Sequence, residues 1–281
     1  MMNIVIKNST LSEMPQLCKL AEIDGRNPGL NDSDLFFQFD PEGFFIAVNQ
    51  NEIVGSVSAV SFGNDFGFIG LHFVLPQVQN TIVGDKLLEV ALDKLGDRNI
   101  GINCSASQVE YYSNHGFTPC HEIYTYEGIA DGLMPALDDI VSPFKYSFDS
   151  LDGFDKQFFP YDRKKLLMLW CNQPQSLLLG KYKDNKYCAY GVYAPSANGF
   201  KISSLVANTP QNAEHLLSSL LGHLEKDSHY FIDLPKGNED AIQLAEKMKM
   251  KKVNETIRMY SKSDPNLSLQ NIYSFTNNEL G

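Results

Sequence analysis

Apolar and polar positions alternate along most of this chain, and the period of the alternation changes in a regular order. Residues 3–8 (NIVIKN) alternate with a period of two, as a strand with one buried face does. Over 9–23 the period lengthens. Leu17, Leu20 and Ala21 fall on one helical face, with Thr10 or Ser12 placed to cap it. A polar turn, GRNPGLNDSD (25–34), leads to a short helix over 35–39. Strands are predicted at 44–50, 53–62 and 66–75, the first two joined by a tight turn at Asn51 and Glu52. The stretch VLPQVQNTIVGDKLLEVALDKL (74–95) begins as a strand end and finishes as a helix. A strand over 99–106, a short helix over 107–117 ended by Gly116, and a strand over 121–128 complete the series.

Residues 129–150 break the pattern, with two prolines, a glycine and no sustained period, and read as a linker or crossover. The same order of elements then returns. FIAVNQNEIVGSVSAV (45–60) matches LLGKYKDNKYCAYGVY (178–193), each with a polar pair at its turn (Gln50–Asn51, Asp184–Asn185). The strand at 200–208, helix at 213–224, strand at 230–235, helix at 238–251 and strand at 255–262 follow in register with the first series. The chain therefore reads as two copies of one α/β unit, over 1–128 and 151–281, joined by 129–150.

Composition narrows the function. The 281 residues are 43% apolar and 20% charged, which suits a globular protein with a real core. The net charge is 23 minus 34, or −11. A nucleic-acid or anionic-membrane partner needs a basic face, so both are disfavoured. The acidity leans toward a cationic small molecule or basic peptide as substrate, and serves solubility equally well. No apolar run approaches the ~20 residues of a membrane span. The N-terminus lacks the basic-then-apolar pattern of a signal peptide. Cysteines 18, 104, 120, 171 and 188 have no CxxC spacing and read as buried thiols in a reducing cytoplasm. The six histidines are scattered, and no metal is expected.

The loop at 76–84 raises a chemical question. Unpaired amides and the dipole at a helix N-terminus make an anion site, yet most βα connections are short polar turns. About thirty residues on, beyond a strand, the chain reads Tyr112-Ser113-Asn114-His115-Gly116-Phe117. Gln79-Asn80-Thr81-Ile82-Val83-Gly84 is similar to the pyrophosphate loop Q/R-x-x-G-x-G/A of the GNAT superfamily of acyl-CoA N-acyltransferases, and Tyr112–Phe117 to its helix-ending Y-x-x-x-G-F. Ile82 stands where that family usually has glycine. The resemblance covers 3–128 by motif and the second copy by order of elements only. The whole chain also resembles a bacterial branch with GNAT copies in tandem. That branch carries a GWNPG-like segment, here GRNPG (25–29) with Arg26 for tryptophan, and an ELG tail, here Glu279-Leu280-Gly281.

The resemblance implies an α/β fold of the α+β mixed-sheet kind: two GNAT-like units, each a twisted, mostly antiparallel sheet flanked by helices. It also implies acetyl-CoA as co-substrate. Backbone amides of Gln79, Asn80, Thr81, Ile82, Val83 and Gly84, with Asp85 beside them, would hold the CoA pyrophosphate, the Cβ of Ile82 crowding the phosphate. An amine attacks the thioester directly. With a pKa near 10 it is about a thousandfold depleted in neutral form at pH 7, worth ~4 kcal/mol. The amide of Phe73 or Val74 would stabilise the developing oxyanion. Tyr112 would protonate the leaving thiolate, and the adjacent Tyr111 would turn into the core. His72 is the titratable residue on that strand, as base or as structural histidine. Ser105 and Ser107 stand where pantetheine passes, or cap a helix. Asp24, Asn27, Asn31 and Asp32 fall in the acceptor-binding segment, or are turn and cap residues.

The second copy lacks this machinery. Ala245 falls opposite Tyr112, and the loop NTPQNAEHLL is shorter and without glycine. Asn238, Arg163 and Lys164 are its remaining binding candidates, and its expected role is to wall the acceptor pocket. The function implied is transfer of an acetyl group to the amine of a small molecule or peptide. The alternative is a non-catalytic GNAT-like protein that binds CoA or a metabolite.

Overall fold

The computed structural model describes residues 4–79, 81–135, 140–141, 147–184 and 186–281. The first unit runs β1 (Ile4–Asn8), α1 (Met14–Ile23), α2 (Asp32–Phe39), β2 (Phe44–Asn49), β3 (Glu52–Phe62), β4 (Phe66–Val74), α3 (Val83–Leu95), β5 (Asn99–Cys104), α4 (Val109–Asn114) and β6 (Thr118–Ile129). The second runs β7 (Ile140–Val141), α5 (Phe148–Asp155), α6 (Lys164–Cys171), β8 (Leu177–Lys183), β9 (Lys186–Ser196), β10 (Gly199–Ala207), α7 (Pro210–Gly222), β11 (His229–Pro235), α8 (Glu239–Lys247) and β12 (Lys251–Tyr260). Part of the expected linker, and Asn185 of the second turn pair, lie outside the described residues.

Two local departures from the sequence pattern have simple causes. Helix α1 starts at Met14 because Pro15 sits in its first turn, where its missing N–H costs nothing. Thr10 spends its amide and hydroxyl on the Glu13 carboxylate, both at 2.8 Å, and so makes a turn of its own before the helix. Helix α5 carries glycine and three aspartates, which hide it from a propensity reading. Ser147 caps it, and Leu151 and Phe154 anchor it in the core.

All twelve strands form one sheet in the order β1-β2-β3-β4-β5-β12-β6-β11-β10-β9-β8-β7. Neighbours are antiparallel except β4–β5 and β10–β11. The units exchange their last strands: β12 pairs with β5 of the first unit, and β6 pairs with β11 of the second. Helices α3 and α4 cover one face over the first unit, and α7 and α8 cover the second, each with its own apolar cluster. Helices α1, α2, α5 and α6 share a third cluster with Ile272, Phe275 and Leu280 of the C-terminal segment. Among the described residues no helix is long and apolar enough to cross a membrane.

Candidate active site

Each unit opens its sheet at the same place. Strands β4 and β5 stay paired to Ile69 and Ile102 and then diverge. A bulge against Ser56–Ser58 kinks β4 there, and Leu71 takes a left-handed φ of 44°. Strands β10 and β11 part after Ile202 and Ile232, with a bulge between Ser203 and Val206 and Ser204 at φ 50°. A parallel pair that diverges leaves amides and carbonyls facing a gap, and these need partners.

The two gaps find different partners. In the second, the C-terminal segment lies along the opening. Leu205 O accepts the amides of Tyr273 and Ser274, Phe275 N donates to Asp233 O, and Ser204 N donates to Phe275 O. In the first, the segment touches only the base of the gap. Leu71 N donates to Glu279 Oε2 at 2.7 Å, and Asn103 Nδ2 donates to Asn278 O at 3.0 Å. Beyond that point β4 remains open. Leu75 N donates to Val54 O on the β3 side, and Ser56 faces Phe73. Strand alternation therefore turns the Phe73 amide into the sheet and the Val74 amide toward the gap.

His72 and Tyr112 meet beside this opening, with His72 Nδ1 2.8 Å from Tyr112 Oη. His72 Nε2 lies 3.0 Å from Gly84 O. A carbonyl only accepts, so Nε2 carries the ring proton and Nδ1 accepts the Tyr112 hydroxyl. Burial holds the imidazole pKa down to about 4, aided by the Arg26 charge. Burial also pushes the Tyr112 phenol well up. Both groups are thus neutral near pH 7. Tyr112 is the tyrosine in the core. Tyr111 was expected there, but it reaches out from α4 to Asp85 Oδ1 at 2.8 Å.

Helix α3 begins without a side-chain cap. Thr81 Oγ1 donates to Val78 O at 2.6 Å and lies 3.4 Å from Val83 N. The amides of Gly84 and Asp85 have no partner among the described residues. A Cβ built on Gly84 would meet His72 Nε2 at 3.9 Å and Val74 Cγ1 at 4.0 Å, so the fold itself has room for alanine. Gln79 ends the turn that follows Pro76–Val78, and Asn80 lies outside the described residues. Ile82 has an ordinary φ of −71° and is 62% exposed. Its side chain points to solvent. The Asp85 carboxylate in this turn opposes an anion, and Tyr111 takes one of its oxygens.

A cavity of about 650 Å³ lies on the other side of the gap, between the units. Asp24, Asn27, Asp32 and Ser105 line it. Asn31 does not, because its Nδ2 donates to Pro174 O at 2.9 Å. Asn27 ties the units together through Ser196 and Asn198. Ser105 caps its own turn with Gln108 while facing the cavity. Asp32 is 2% exposed. Burial raises its carboxyl, with Lys201, the Gly29 amide and Asn277 opposing.

Several cavity residues escaped the sequence reading. Arg26 donates to both oxygens of Glu279, at 2.8 and 2.6 Å, and to Asp24 at 3.0 Å. Burial raises the Glu279 carboxyl, yet Arg26 and the Leu71 amide outweigh it and hold it below its usual range. Asn277, Lys201 and Asp233 complete this wall. The GRNPG and ELG segments were the only signal. Their pairing across 253 positions is a property of the fold. Among the candidates in the second unit, Asn238 caps α8, Arg163 is buried against Asp155 at 3.0 Å, and Lys164 pairs with Asp149.

Two matches to family profiles described as acetyltransferase (GNAT) domains cover 37–135 and 152–274. The holothin acyltransferase of Pseudoalteromonas sp. (strain SANK 73390) is 24% identical over 276 residues, spanning 98% of this chain and 94% of that relative. A candidate acetyltransferase from Pyrococcus horikoshii superposes with a TM-score of 0.84 at 21% identity, covering 99% of this chain and 96% of that one. A tandem GNAT protein from the clavulanic acid biosynthesis pathway superposes with a TM-score of 0.67 at 11% identity, covering 94% and 100%.

Proposed function

The chain belongs to the GNAT acyltransferase superfamily as a tandem of two units, and from that premise we propose that it moves an acetyl group from acetyl-CoA to the amine of a small molecule, using the first unit only. The observation that carries this reading is the contrast between the open gap at β4–β5 and the gap at β10–β11 lined by the chain's own segment. The uncapped α3 amides at Gly84 and Asp85 would take the CoA pyrophosphate. The acetyl thioester, when bound, supplies the acyl carbon. The Val74 amide faces the developing oxyanion, and Tyr112 gives its proton to the departing sulfur while His72 fixes the phenol's position. The cavity lined by Asp24, Asn27 and Asp32 receives the acceptor. The five cysteines are free thiols, which supports a cytoplasmic setting.

The test is thiol release from acetyl-CoA in the presence of a panel of primary amines, with calorimetric stoichiometry alongside. Holothin, named in the Pseudoalteromonas relative, belongs in the panel. One CoA per chain and amine-dependent thiol release are expected. A second reading, a CoA binder without turnover, draws on one observation: the Tyr112 hydroxyl proton is committed to His72. Tight CoA binding without thiol release for any amine would select it.

A further inference from the structure

The acceptor cavity holds an acid and a base that do not join. Asp32 on α2 is 2% exposed, and its Oδ2 accepts the Gly29 amide at 2.8 Å. Its other oxygen, Oδ1, is buried without a hydrogen bond of good geometry, the Asn277 side chain being the polar group beside the carboxylate. Lys201 on β10 lines the same cavity and makes no ion pair within 4 Å among the described residues, although its charge acts on Asp32. Arg26, the other lining cation, is already engaged by Glu279 and Asp24. The second unit thus brings an ammonium outside any ion pair to a pocket in which the first presents a buried carboxylate oxygen short of a hydrogen bond. A buried polar oxygen left unmatched is costly, and with a half-buried ammonium lining the same cavity it is satisfied by a molecule bridging the two.

Resting on the acyl-transfer reading above, we propose that this pocket selects an acceptor by a donor–acceptor pair next to its nucleophilic amine. An N–H of the acceptor meets Asp32 Oδ1, and an oxygen of the acceptor meets Lys201 Nζ. Two sources supply that pair: the edge of a neutral amide or lactam, and the ammonium and carboxylate of an amino acid. The second unit then acts as the specificity wall of the first, through a side chain on β10.

Three primary amines of similar length test this: a plain alkylamine, an amine bearing a carboxamide, and a diamino acid. At least one of the two polar amines is expected to exceed the alkylamine in kcat/KM by about tenfold or more, as unpaired buried polar groups penalise the compound that lacks partners for them. The winner separates the neutral source from the charged one. Asp32→Asn and Lys201→Met should each bring the polar-to-plain ratio toward one. Thermal melting accompanies both, and Lys201→Met decides if Asp32→Asn does not fold. An alkylamine as good as both polar amines, or variants that lower all three equally, overturns the proposal. If CoA binds and no amine releases thiol, the acyl-transfer reading fails by itself. Calorimetric binding of the same three amines to wild type and variants then decides the selection by the same ratio.

Discussion

The two units part their sheets by the same device and treat the opening in opposite ways. Leu71 and Ser204 lie two residues beyond the last parallel pair, both with left-handed φ, and both give their amides to the C-terminal segment. At Ser204 the segment continues along the strand, so the gap is satisfied from within. At Leu71 only the Glu279 carboxylate arrives, and Val74 is left facing open space. The helices that follow repeat the contrast. Helix α7 enters through Thr209, which accepts Asn212 N at 3.2 Å, and Pro210, which has no N–H to leave free. Helix α3 enters through Ile82 with no cap. An anion site needs amides that the chain has left unpaired, and among the described residues the side-chain cap that α7 has is missing from α3.

The sharpest way to break this comparison is at the reacting sulfur. Tyr112→Phe removes one oxygen and leaves the buried ring in place. If Tyr112 is the acid, kcat falls by ~10²–10⁴ with CoA affinity little changed. Tyr111→Phe, on the exposed side of α4, serves as the control. A Tyr112→Phe enzyme within about threefold of wild type rejects the role, since a thiolate can also be protonated by water. The pH profile adds a second reading. His72, held near 4, stays neutral from pH 5 upward, so it should produce no inflection near 6.5. Such an inflection, lost in His72→Gln, would place a titrating imidazole in the reaction.

Next in size is the segment that fills the second gap. Phe275 is buried, with its ring against His121 at 5.9 Å and Arg258 at 5.0 Å. Phe275→Ala should cost about 3–5 kcal/mol in urea unfolding, as large aromatic truncations in cores do. CoA stoichiometry should nevertheless remain one. Opening the second gap does not uncap α7, and Ala245 in α8 still supplies no acid. A second CoA in this variant would mean that the segment alone had been excluding it.

Periodicity made the strands and most helices legible, because burial on one face writes itself into the chain at intervals of two or 3.6. The entry to helix α3 and the end of α4 at Gly116 were legible because they are local. The exchange of β6 and β12 was not, since both strands carry the same pattern and nothing in it names a neighbour. Tyr111 was expected in the core and instead reaches Asp85. Two adjacent helical residues point about 100° apart, and the six-residue helix α4 is too short to set its own phase. The wall of the cavity sets Asp32 and Lys201 around one space and pairs Arg26 with Glu279, residues more than 160 positions apart, and no spacing rule reaches that far.

A smaller effect tests whether Gly84 serves the fold or a ligand. The fold accepts a Cβ there at ordinary contact distance, and the backbone φ is not left-handed. Gly84→Ala should therefore leave the melting temperature unchanged or slightly raised, as glycine-to-alanine changes in helices do. If the pyrophosphate sits at this turn, CoA binding should weaken by about tenfold, because a methyl group then stands between α3 and β4. Unchanged affinity would move the ligand away from this turn.

The smallest expected effect is at Ile82, where glycine is the family habit. A side chain 62% exposed at a φ of −71° neither strains the loop nor occupies the space under the helix amides. Ile82→Gly thus removes no obstruction. It adds freedom to the unbound loop, a cost of about 0.5–1 kcal/mol that ligand binding must recover, offset because glycine is a tolerated N-cap. The two contributions nearly cancel, and calorimetry should find CoA affinity within about twofold of wild type. A tightening of tenfold would show that the isoleucine swings inward when the loop closes on a phosphate. The first gap would then be less open than its geometry indicates, and the difference between the two units would narrow accordingly.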